Sequence, residues 1–189
     1  MFATGKHYLQ SEIDNEKSIL ESMIERFPNI LKGEIAYYET LKKEEARLIA
    51  HGDTLVEFSI RFNSSYNQLI DAQTNVLIFH YYSLAIMIYA YAESSLKHIC
   101  EYVGIDTKNI RANILYNYYN KLQKEYANLP KLDIVWKERE SFQKMRNTIT
   151  HEMRVQNHIA TQDYLNNNLK KAYELLCTVL NEVLTNNNK

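Results

Sequence analysis

Apolar residues recur at intervals of three and four along most of this chain, the pattern of amphipathic helices rather than strands. Ile13, Leu20, Met23, Ile24 and Phe27 form the first stripe. Pro28 is expected to end the helix that carries it, because proline removes a backbone donor. Leu31, Ile35, Tyr38, Leu41 and Leu48 predict a second helix, and "HGDT" (His51–Thr54) a break, with Gly52 as the stop and Asp53 or Thr54 as the next cap. A polar segment from Leu55 to Ile70 follows. "DAQT" then punctuates before a strongly apolar helix, Asn75–Val103, which Gly104 ends. A tyrosine-rich helix is expected over Ile110–Ala127, with Pro130 breaking the chain after it. The next helix starts near Leu132 and runs into "MRNTITHEM" (Met145–Met153), with Val135, Phe142, Met145, Ile149 and Met153 as its stripe. A last helix, Thr161–Leu184, buries Leu165, Leu169, Ala172, Leu176, Val179 and Val183.

Composition fits that reading. The 189 residues include only 4 Gly and 2 Pro, too few breakers for a multi-stranded β protein. The expected fold is all-α: an antiparallel four-helix bundle over residues 71–189, preceded by an N-terminal helical arm, residues 1–70. The net charge of −1 gives no bulk sign of nucleic-acid or membrane binding, so any such binding must come from a local patch. The N-terminus lacks the basic-then-apolar pattern of a signal peptide, and isolated Cys100 and Cys177 read as reduced core residues of a cytoplasmic protein. "VLIFHYYSLAIMIYAYA" (Val76–Ala92) has the length of a short membrane span. Its His80 and four tyrosines need polar partners, so it is expected to be a buried central helix, not a span. Tyr81, Tyr82, Tyr89, Tyr91, Tyr116, Tyr118 and Tyr119 spread around two apolar helices, which predicts core or interface roles for most of them rather than an exposed stacking strip.

Little of the sequence carries chemistry. HExxH, CxxC, GxSxG and a phosphate-cradling glycine loop are all missing from it. His151 and His158, seven residues apart, lack a nearby third ligand, so neither a metal nor a cofactor is expected. What stands out is Arg146-Asn147 five residues ahead of His151. On one straight helix Arg146 and His151 lie about 140° apart. A shared site therefore needs either a distortion near the β-branched Thr148 and Thr150 or a second chain supplying the complement. A bland reading stands beside the catalytic one: Arg146 pairs with a nearby carboxylate, Asn147 caps a helix end and His151 is a surface residue.

"RNTITH" resembles the Arg-polar-spacer-His motif of the HEPN superfamily, in which Asn often follows the Arg. The likeness extends to order and context. A long apolar helix carries a glutamate (Glu93 in "YAYAESSLKHI"), then come a second helix, a helix bearing the motif, and a closing amphipathic helix. It covers roughly residues 75–184 and leaves the first 70 unexplained. The resemblance implies a HEPN-like helical bundle and, as in many members, metal-independent RNA cleavage by a homodimer whose two motifs face one cleft. It also implies a bacterial defence or toxin–antitoxin setting with an antitoxin or other protein partner, RNA as substrate and no membrane. Carried over by position, Arg146 stabilises the phosphate, Asn147 orients it, His151 is acid or base, and Glu93 supports Arg146. A toxin subgroup has a modifiable tyrosine two residues after the histidine; Met153 stands there in this chain. Other HEPN-like proteins use the bundle only to dimerise or to bind a partner or nucleic acid.

Overall fold

The structure is a computed structural model that describes residues 2–50, 56–108, 110–152 and 160–186, with side chains for 7–50, 64–108, 110–147 and 160–186. Every regular element among the described residues is helical: α1 (Phe2–Ala50), α2 (Val56–Tyr102), α3 (Ile114–Glu125), α4 (Leu132–Val135), α5 (Arg139–Glu152) and α6 (Gln162–Asn186). The all-α class expected from so few glycines and prolines is the one adopted.

Several boundaries differ from the sequence expectation. Pro28 does not stop the first helix; α1 runs through it for 49 residues, about 74 Å. The reason is tertiary. Ile24 and Leu31, on either side of the proline, are both buried in packing with the rest of the fold, which offsets the ~3 kcal/mol that proline costs in a helix interior. His80 of α2 supports the same turn: its ring lies 4.2 Å from that of Phe27, and its Nε2 lies 3.3 Å from the Met23 carbonyl. "DAQT" does not punctuate either. Thr74 turns its hydroxyl back on the Ile70 carbonyl at 2.8 Å instead of capping a new helix, and α2 continues through. The break expected at His51–Thr54 lies outside the described residues.

The helix expected from Leu132 into the motif is two helices. Trp136 leaves helical geometry at φ −134°, ψ 75°, and its indole Nε1 donates to Asn168 Oδ1 of α6 at 2.9 Å. Both residues are fully buried, so the interior position of the indole decides where α4 ends and α5 begins. The tyrosine-rich helix starts at Ile114 rather than Ile110, because Asn113 takes the left-handed conformation (φ 46°) that asparagine tolerates better than most residues.

One core joins α1, α2, α3, α5 and α6. The α6 stripe of Leu165, Leu169, Ala172, Leu176, Val179 and Val183 is buried throughout, as its spacing predicts. Side-chain bonds also hold α1 on α2 and α6, among them Tyr91 donating to the Ile13 carbonyl at 3.1 Å and Tyr173 to Asp14 Oδ1 at 2.9 Å. Between Leu31 and Tyr81 no hydrophobic side chain is buried among the described residues, and there α1 and α2 continue as a hairpin linked by Lys42 and Asn67. Six of the seven tyrosines singled out above are buried, and Tyr116 is 42% exposed. Cys100 is buried and Cys177 half-buried, both as free thiols; burial pushes the Cys100 thiol up to about 12. Within α2, Ser64–Tyr102 is long and apolar enough to cross a membrane by length and composition, and 44% of its apolar stretch is buried inside the fold.

Candidate functional site

Arg146 sits on α5 where this helix faces the second half of α2. Its Nη2 lies 3.3 Å from Glu93 Oε2, and its Nη1 donates to Asn147 Oδ1 at 2.9 Å. The guanidinium also rests over the Tyr89 ring, 5.1 Å from the ring centre. Three partners from two helices thus fix one cation, whose side chain keeps 26% of its surface open. The sequence places Glu93 and Arg146 fifty-three residues apart, and the fold brings them together.

Glu93 does more than pair with Arg146. The Leu115 backbone N–H, in the first turn of α3, also favours its charged form. The N-cap residue of α3, Asn113, offers no side-chain capping bond. The positive end of the α3 dipole thus bears on the Glu93 carboxylate, while its ion pair with Arg146 links α2 and α5. Burial pushes its carboxyl above the ordinary 4.5, while Arg146 and the Leu115 N–H pull the other way.

The raised value has a consequence for stability. Between 4.5 and the higher folded value the native state holds more protons than the unfolded chain, so stability falls as pH rises through that window. Glu93→Gln is expected to flatten this slope. Urea midpoints measured from about pH 4 to about pH 7 check it, and equal slopes in the two proteins would contradict it. Tyr89, beneath Arg146, is pushed up to about 12, first by burial and then by the Glu93 charge, so it stays a neutral platform.

The α5 backbone is helical without interruption from Arg139 to Glu152. Of the two routes to a shared site, a distortion near Thr148–Thr150 is therefore not taken by this backbone, and Arg146 and His151 keep the angular separation of a regular helix, about 140°. The side chain of His151, and all of Met153 and His158, lie outside the described residues. Of the motif residues, Arg146, Asn147 and Glu93 are brought together; for His151 only its place on α5 is set.

Beside Asn147 opens a cleft of about 460 Å³, lined also by Asn113, Tyr116, Asp133, Arg139, Glu140, Gln143 and Lys144. Arg139 is the residue that sequence reasoning missed. It is 5% exposed, lies 3.5 Å from each of Asp133 and Glu140, and donates to Gln143 Oε1 at 3.2 Å. The signal was present: Arg139, Gln143 and Arg146 are spaced i, i+4, i+7, one face of a helix. Among the described residues, no three His, Cys, Asp or Glu side chains come together as a metal site would need.

Comparison of the chain with protein-family models, with curated proteins and with solved structures gives no match.

Proposed function

We propose that this chain is a HEPN-like, metal-independent endoribonuclease. In this reading the C-terminal half of α2 with α3, α5 and α6 forms the antiparallel four-helix bundle of that superfamily. The observation that carries it is the fixed guanidinium of Arg146, held by Glu93 and Asn147 at the border of an open cleft, in a chain whose sequence puts His151 in the superfamily's position. A ribose 2′-OH attacks the adjacent phosphate, a base takes its proton, and an acid returns one to the departing 5′ oxygen. Histidine, with an unperturbed pKa near ~6.5, serves either step. Arg146 supplies the permanent cation for the charge that builds on phosphorus. Because α5 is regular, His151 is served best by a two-fold homodimer, in which the motif of a second protomer completes each site. A cytoplasmic setting in bacterial defence or toxin–antitoxin control, with an antitoxin as partner, belongs to the same reading.

One observation favours the alternative, a non-catalytic helical module that dimerises or binds a partner or nucleic acid. Arg146 is paired with a carboxylate, as a structural arginine would be. Incubating the purified protein with a mixed RNA pool and matched DNA in excess EDTA separates the two readings. Shortened RNA and untouched DNA are expected of the ribonuclease; intact RNA across the neutral pH range supports the binding module.

A further inference from the structure

Of the seven tyrosines singled out in the sequence, Tyr116 alone is open to solvent, and it lines the cleft beside the motif. The Arg139 guanidinium lies 5.6 Å from its ring centre. One face of the ring is thereby backed by a cation, and the exposure leaves ring surface toward the cleft. Arg139 is itself buried and held by Gln143, Asp133 and Glu140, so the cation behind the ring is fixed in place. An exposed ring with a fixed cation behind it is a platform on which a planar group can stack.

The charges in the cleft say what kind of group. Arg139 and Lys144 are offset by Asp133 and Glu140, so the walls sum to zero. Such a cleft is no trap for a bare phosphate, which the two carboxylates repel. It suits a flat, neutral ring rich in hydrogen-bonding edges. Asn113, Gln143 and Asn147 present amides, each both donor and acceptor, around it. Gln143 already bridges Asn113 (3.3 Å) and Arg139 (3.2 Å), which holds the three in register. Asn147 is bonded to Arg146 and lines the cleft, so a group bound there sits next to the proposed phosphate position.

We infer that this cleft is a nucleobase subsite for single-stranded RNA, with Tyr116 as the stacking platform and the amides of Asn113 and Gln143 reading the base edge. The inference rests on the ribonucleolytic reading of Arg146 and His151 but is tested apart from it.

The experiment uses the full chain and a fluorescent hexanucleotide with 2′-O-methyl sugars, which has no ribose nucleophile and cannot be cut by the proposed route. Base–aromatic stacking predicts that Tyr116→Ala weakens binding about 5- to 150-fold, while Tyr116→Phe, which keeps the ring, stays within about twofold of wild type. Tyr116 is exposed, so both variants are expected to melt with wild type. Equal binding by wild type and Tyr116→Ala, no binding by wild type, or a nucleoside monophosphate binding as tightly as the hexamer would each overturn the subsite. If ring-dependent binding is found but wild-type protein never cuts all-ribose RNA, the subsite stands and the ribonuclease reading fails. If RNA is cut and the ring is irrelevant, the reverse holds.

Discussion

Replacing His151 by alanine is expected to slow RNA cleavage ~10²–10⁴-fold, the share that a positioned acid or base contributes. Arg146→Ala is expected to lose ~10²–10³-fold, comparable to removing one donor from a site of developing negative charge. The two variants differ in what else they disturb. Removing Arg146 leaves Glu93 half-buried without its cation, although the Leu115 N–H remains. A modest loss of stability therefore accompanies the loss of rate. Arg146→Lys separates the effects: it keeps a charge near Glu93 but loses the forked donor, so stability is largely restored while cleavage is not. Initial rates on one RNA and urea midpoints from the same preparations measure both.

Trp136→Ala is expected to destabilise the fold by ~3–5 kcal/mol from lost packing alone. The indole is fully buried, with the Tyr89 ring 6.4 Å and the Phe142 ring 5.8 Å from it, centre to centre. Its removal also strands Asn168 Oδ1, a buried acceptor, at a further cost of ~1–3 kcal/mol. Against a typical total of ~5–15 kcal/mol this is a large share. Trp136→Phe keeps most of the packing and loses only the hydrogen bond, so it is expected to lie between the two. Because Trp136 sets the start of α5, the alanine variant also loosens the helix that carries Arg146. Chemical denaturation followed by far-ultraviolet circular dichroism checks the ranking; an alanine variant within about 1 kcal/mol of wild type would contradict it.

What was legible in the sequence was periodic. The α6 stripe is a local pattern, and its six residues are buried as their spacing requires. Boundaries set by distant partners were not legible. Pro28 obeys a local rule that the burial of Ile24 and Leu31 overrides. The division between α4 and α5 is decided by Asn168, thirty-two residues from Trp136. At the candidate site, Glu93 was named from resemblance, and the fold places it against Arg146. The influence of the Leu115 N–H on Glu93 was out of reach, because nothing local signals that the start of α3 bears on a residue of α2. Tyr116 could not be told from its neighbours by spacing; only packing shows that it faces outward.

The central claim is that a ribose hydroxyl is activated at Arg146 and His151. It is tested most directly on an RNA oligonucleotide that the wild-type protein cuts, resynthesised with a single 2′-deoxy sugar at the mapped cut. In EDTA, the all-ribose strand is expected to give a 2′,3′-cyclic phosphate end, and the substituted strand to stay intact at that position. Continued cutting at the deoxy sugar would contradict the account, as would equal cutting of the all-ribose strand by a His151→Ala protein that melts like wild type.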